Sequence, residues 1–176
     1  TVLAMRHDPA LPPEEVVDGV RIVRAPVLAR LGKGLVAPLF TARAATLLRG
    51  ADLLHLHLPQ FDAAGVALLG YLRRVPIVVT YQCDLRLPQG AFNRTAEATL
   101  RVLDRVAGSL ADRVVTNTQD YSDHSPYLRR FGAKLEIIPP PIELASVDAV
   151  EVQRFRARHL PQGKAPIIAM VARLSA

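Results

Sequence analysis

The sequence has no tryptophan, a single cysteine, and only four tyrosines and five phenylalanines. One cysteine, Cys83, excludes an intramolecular disulfide framework and suits a reducing compartment. Aromatic residues make up 5% of the chain and do not interleave with basic ones, so no nucleic-acid-binding signature is present. No apolar run approaches the roughly 18–20 residues of a membrane span; the longest candidates, Ala63–Leu72 and Gly34–Phe40, are short. No leader pattern opens the chain. G-x-S-x-G, a P-loop and a complete G-x-G-x-x-G are all absent, as is any carboxylate pair at glycosidase spacing.

What is present reads as globular. Half of the 176 residues are hydrophobic and 22% are charged, enough for one good core, or one domain and a piece of another. The net charge is +6, and arginine dominates it. Arg21, Arg24, Arg30, Arg43 and Arg49, with Lys33, fall in the first third; Arg73, Arg74, Arg101, Arg105, Arg129 and Arg130 fall on predicted helix ends and faces. Two readings are open: solvated helix faces, or attraction to anionic lipid surfaces and phosphorylated ligands.

Two neighbouring stretches organise the chain, Ala51–Asp62 and Val75–Pro88. Each is a short apolar run ending in polar residues, the pattern of a buried parallel strand. Around them the patterning predicts strands over Thr1–Arg6, Val20–Arg24, Asp112–Thr118 and Leu135–Ile138, with a turn at Asp18-Gly19. Helices are predicted over Lys33–Leu48, Ala63–Arg73 with Asp62 as N-cap, Phe92–Leu110, and Asp120–Arg130 capped by Thr118 or Asn117 and stopped by Gly132. The prolines 139–141 form a stiff connector, followed by a short helix near Val150–His159 and a strand over Pro166–Ala172. Strands alternating with helices of ten or more residues imply βαβ units and an α/β fold with a doubly wound, mostly parallel, Rossmann-like sheet. The chain opens and closes on strand-like residues, so a fragment truncated at both ends is expected.

Ligands of open α/β sheets sit beyond the carboxyl ends of the strands. His57, Gln82 and Asp84 occupy those ends and can hold sugar hydroxyls or a polar headgroup; ordinary loop capping is the alternative for Gln82 and Asp84. His55 and His57 share one strand face, but no cysteine or carboxylate at ligand spacing supports a metal pair, and His55 is expected to be buried. Cys83 is expected to be a small buried thiol rather than a nucleophile. Arg173, directly after the last apolar strand, is placed for a phosphate.

Taken in order, D-L-L-H-L-H-L-P (52–59), V-V-T-Y-Q-C-D-L-R-L-P (78–88), A-D-R-V-V-T-N-T (111–118), D-Y-S-D-H-S-P-Y-L-R-R-F (120–131), I-I-P-P-P-I (137–142) and V-A-R-L (171–174) resemble the N-terminal part of a family 4 glycosyltransferase. That group is retaining, nucleotide-sugar-dependent and built on the two-domain GT-B architecture. The resemblance implies an acceptor-side domain over 1–141, a linker over 142–165, and the start of a donor-binding domain over 166–176. It also implies that the family's first strand and Gly-rich loop precede Thr1 and that most of the donor domain follows Ala176, so that the fragment alone is inactive. His57, Gln82 and Asp84 would then line the acceptor side, and Arg173 the donor diphosphate. The implied partners are a nucleotide-sugar donor and a saccharide or lipid-linked acceptor, with no cofactor and no metal; the basic charge adds an anionic membrane surface, and the few aromatics leave no nucleic acid. The single cysteine suits a cytoplasmic location, and the basic surface fits peripheral attachment to the inner face of the membrane. Where many members carry histidine in a T-[YF]-H pattern, this chain has Gln82, which cannot titrate and is limited to hydrogen bonding. A nucleotide-sugar epimerase, another GT-B enzyme and a non-catalytic binding module are the alternatives.

Overall fold

The computed structural model describes residues 1–31, 34–86, 88–142 and 146–159. By internal contacts the chain divides into Thr1–Pro140 and Pro141–Ala176. In the first unit, strands β1 (Val2–Arg6), β2 (Glu14–Val17) and β3 (Val20–Pro26) form a sheet in the order β1-β3-β2. β1 runs parallel to β3, and β2 and β3 are an antiparallel hairpin. Asp18 and Gly19 make its turn at φ 49° and 78°, the pair of positive values that a two-residue hairpin loop requires. Two short strands, β4 (Ala29–Leu31) and β5 (Gly34–Val36), pair antiparallel, and helix α1 (Phe40–Leu47) runs into a 3-10 turn at Leu48–Gly50.

The second sheet is all parallel, in the order β6 (Leu54–Leu58), β7 (Ile77–Tyr81), β8 (Arg113–Thr116) and β9 (Leu135–Ile137). Helix α2 (Ala63–Leu72) links β6 to β7 and α3 (Ala91–Leu110) links β7 to β8. Helix α4 (Gln119–His124) and a 3-10 stretch (Leu128–Lys134) link β8 to β9. Each crossover steps the same way along the sheet, and right-handed connections that do so lie on one face. Leu56, Leu58, Ile77, Val79 and Tyr81 are buried against Ala63, Val66 and Ala67 of α2 and Ala107 of α3. The other strand face is more open: His55 and His57 are exposed, and Val78 and Thr80 half-buried. The L-H-L-H-L alternation of β6 is the local cause, since side chains two apart share a face.

The Rossmann-like α/β reading holds, with differences in detail. The predicted helix over Lys33–Leu48 starts only at Phe40; Gly34–Val36 is a strand. Pro38 disfavours the helical region for Ala37, and β-branched Val36 suits a strand. The helix predicted over Asp120–Arg130 breaks at Ser125, which is extended at ψ 122° because Pro126 follows it. Thr118 caps α4, its hydroxyl accepting from Tyr121 N at 3.2 Å. Asp62 stands at the N-cap of α2 but accepts no side-chain capping bond, as its backbone is already helical. Gly132 does not stop its helical stretch, which continues as 3-10 turns to Lys134. There the Lys134 ammonium takes over the end of α3, donating to Ser109 O at 2.9 Å and Ala111 O at 2.7 Å.

In the second unit, helix α5 (Ala149–His159) begins beside Asp148, whose Oδ1 accepts from Val150 N at 2.8 Å. Glu151 in its first turn and Arg156, Arg158 and His159 in its last match the helix dipole. The predicted strand over Pro166–Ala172 and Arg173 lie outside the described residues.

Candidate active site

The register of β6 and β7 sets His57 opposite Thr80 and Leu58 opposite Tyr81. The ladder runs one step further, Gln82 N donating to Leu58 O at 3.0 Å, so Gln82 leaves the sheet beside the end of β6. There its amide Nε2 donates to His57 Nδ1 at 3.2 Å, which leaves the imidazole proton on Nε2. One turn of pleat back, His55 Nε2 and Thr80 Oγ1 are 2.7 Å apart, and the His55 and His57 rings lie 4.4 Å apart. Burial, and then the charge of His57, pull the His55 pKa below the ordinary imidazole value. His55 is thus an exposed, partnered histidine rather than the buried one expected.

Asp84 is held by two hydroxyls on the same oxygen. Tyr81 OH donates to Oδ1 at 3.0 Å and Ser125 Oγ donates to it at 3.1 Å. Oδ2 takes neither of these two bonds. Ser125 is 1% exposed and comes from the C-terminus of α4, forty-one positions along the chain. Tyr81 stacks on Tyr127 at 3.9 Å and lies parallel to Tyr121 at 6.4 Å, and Tyr127 meets Phe131 at 4.9 Å. Burial, then the bond to Asp84 and its charge, push the Tyr81 hydroxyl far above the ordinary phenol range. The Tyr121 hydroxyl is pushed up to about 12, by burial first and then by Asp84. It lies near that carboxylate but is buried without a hydrogen bond of normal geometry.

Beneath the strand ends, α3 supplies Asp104, only 3% exposed. Its Oδ1 accepts from Gln60 N at 3.3 Å, just past the cis Leu58–Pro59 bond, and its backbone oxygen accepts from Tyr127 OH at 3.0 Å. Burial raises the Asp104 carboxyl to about 7. A continuous set of contacts thus runs from Gln60 through Asp104, Tyr127 and Tyr81 to Asp84.

The structure therefore brings His57 and Gln82 into contact and sets Asp84 two residues on, fixed by its own partners. Cys83 between them is exposed, not the buried thiol expected, because the chain has already left the sheet. Tyr81, Ser125 and Asp104 were missed as site residues. Tyr81 reads as the last apolar residue of a strand, and Asp104 breaks the apolar stripe of α3 without a visible partner. Among the described residues no three of His, Cys, Asp and Glu are grouped so as to hold a metal ion.

The glycosyl transferase 4-like domain matches residues 1–141, which include every one of these strand-end groups. The chain belongs to that family. No curated protein matches it significantly. As a glycosyltransferase domain it works between a sugar donor and an acceptor, and β6, β7 and β8 present their carboxyl ends within the matched region. No described helix of this glycosyltransferase domain is long and apolar enough to cross a membrane.

Proposed function

We propose that the parent protein transfers a hexose, or a similar sugar, from a nucleotide-sugar to a saccharide or lipid-linked acceptor with retention of configuration. The observation that carries this reading is the Asp84 carboxylate, fixed by Tyr81 and Ser125 at the carboxyl end of β7 beside the Gln82–His57 pair. A carboxylate fixed through one oxygen keeps acceptor capacity for a sugar hydroxyl. The Gln82 amide offers donor and acceptor together and takes no part in proton transfer. His57, Gln82 and Asp84 then orient the acceptor. Arg173 balances charge on the departing diphosphate, an electrostatic contribution of the kind that dominates such transfers. The C1–O bond to the diphosphate breaks as the acceptor oxygen bonds to C1 on the same face, and the acceptor's hydroxyl proton passes to the departing phosphate oxygen. Retention of this kind needs no protein base and, in this reading, no metal. The net charge of +6 supports a cytoplasmic protein resting peripherally on an anionic membrane surface.

The test is turnover by the full-length protein across a panel of nucleotide-sugars, reading nucleoside diphosphate release and product anomer. Acceptor-dependent release with a retained anomer is expected, and Asp84→Asn should lower kcat/KM at least ~10-fold, about 1.4 kcal/mol, in a variant that stays folded at the assay temperature, its melting temperature lowered only as far as the weaker Tyr81 and Ser125 bonds require. An inverted product, or an Asp84→Asn variant as active as the parent, would remove the reading.

A further inference from the structure

The amino-terminal edge of the same sheet carries a second concentration of polar chemistry, at least about 13 Å from the first by the length of the five-residue strands. A cavity of about 570 Å³ opens there, lined among others by Arg49, Asp52, Arg73 and Arg74. Two connections build it: the 3-10 turn entering β6 supplies Arg49, and the turn leaving α2 supplies Arg73 and Arg74. Leu54 N donates to Pro76 O at 2.9 Å and ties the two connections together. None of the three guanidinium groups makes a hydrogen bond or ion pair among the described residues, with Asp52 or any other group. Among the described residues Arg43, Arg94, Arg105, Arg129 and Arg130 make none either, so what sets these three apart is their convergence on one cavity.

Arg74 adds an independent observation. Val75 N donates to Gly70 O at 3.0 Å and Arg74 N to Tyr71 O at 3.0 Å, the two bonds of a helix end that puts its next residue in the left-handed region. Glycine is favoured there, yet this chain has Arg74 at φ 57°. A residue held against its backbone preference points toward a use for its side chain. Capping alone does not absorb the charge. Two helix ends contribute about half a negative charge each, so within this cavity the three arginines and Asp52 leave an excess of about one positive charge; Asp112, which lines the adjoining cavity, is taken up by Ile77 N at 2.7 Å. A second cavity, of about 500 Å³, adjoins through Arg74, Val75 and Pro76, and exposed Tyr71 and Leu72 give it an apolar rim.

We propose that this edge is a binding site for a phosphate group, held by Arg49, Arg73 and Arg74, with Tyr71 and Leu72 against the apolar part of the molecule that carries it. Guanidinium groups bind phosphate oxygens in a fork that ammonium groups cannot reproduce. The phosphate belongs either to a phospholipid headgroup or to a soluble phosphate ester, and the site is independent of the transferase reading above.

The full-length protein is titrated calorimetrically with inorganic phosphate and with glycerol 3-phosphate, and sedimented with phosphatidylglycerol–phosphatidylcholine vesicles and with phosphatidylcholine vesicles alone. Arg49→Gln/Arg73→Gln is compared with Arg105→Gln/Arg129→Gln, which removes equal charge from elsewhere. Saturable binding of either soluble probe, weakened at least ~10-fold in the first variant and not the second, establishes a soluble ligand. Binding to the anionic vesicles alone, with the same dependence, establishes a headgroup. Arg74→Gly separates ligand from fold: it should weaken binding while the melting temperature holds or rises. No binding in any arm, equal weakening by both double variants, or undiminished binding by Arg74→Gly overturns the proposal.

Discussion

Asp104 is the only carboxylate buried among the described residues, and its single modest hydrogen bond does not repay its desolvation. Its carboxyl rises to about 7 in the fold, against about 3.9 in an unfolded chain. The folded state therefore binds the proton more tightly. The stability this group contributes is full below pH ~4 and is lost as the pH rises through about 7. Asp104→Asn, which still accepts from Gln60 N, should stabilise the protein by on the order of 2–4 kcal/mol at pH 8 and hardly at pH 4. Denaturant titrations of both proteins across that range check this, and a gain from Asp104→Asn equal at pH 4 and pH 8 would refute it. Two hydroxyls nearby make a contrasting pair. Ser125→Ala removes a buried donor to a charged oxygen and should cost about 1–2 kcal/mol. Tyr121→Phe removes a buried hydroxyl that has no partner, so thermal melts should show no loss, or a gain of about 1 kcal/mol. His57, Gln82 and Asp84 were legible because the end of a parallel strand is a position in sequence. Ser125 was not, because its role exists only once β7 and the end of α4 lie side by side.

At the scale of elements, close approach decides what can change. A Cβ on Gly108 of α3 would stand 2.3 Å from the Tyr127 hydroxyl and 2.7 Å from Phe131 Cζ. Tyr127 cannot yield cheaply, since it bonds to Asp104 O and stacks on Tyr81. A Cβ on Gly70 of α2 would meet Leu54 Cδ2 at 2.8 Å, the free end of a half-buried leucine. Gly108→Ala should therefore cost about 1–3 kcal/mol and Gly70→Ala clearly less, by denaturant midpoint. Equal losses would show that the aromatic stack is softer than its contacts indicate. The elements that sequence located best, β6, β7, α2 and α3, have period and punctuation in agreement. Those it misjudged carry a proline inside an otherwise helical composition, Pro38 and Pro126, where a single ring outweighs a run of good helix formers.

For the molecule as a whole, the parallel order of β6 to β9 follows from alternating strands and helices, and it puts every strand end of that sheet on one edge. Sequence names Arg49, Arg73 and Arg74 among the basic residues open to anionic ligands but not that they converge, because Arg49 and Arg73 are twenty-four positions apart and look like separate helix ends until β6 and β7 pair. The aromatic residues show the same logic. They are too few to mark a site by density, yet three of the four tyrosines meet at the end of β7.

That gathering gives the protein an optical readout. These 176 residues hold no tryptophan, so on their own their near-ultraviolet emission comes from tyrosine, and Tyr81 donates a hydrogen bond to a carboxylate, an arrangement that quenches a phenol. Replacing Asp84 by Asn should brighten the emission, and any ligand that draws the carboxylate away should do the same in the unsubstituted 176-residue chain, without a label. Emission unchanged in Asp84→Asn would mean that the Tyr81–Asp84 bond is not kept in solution.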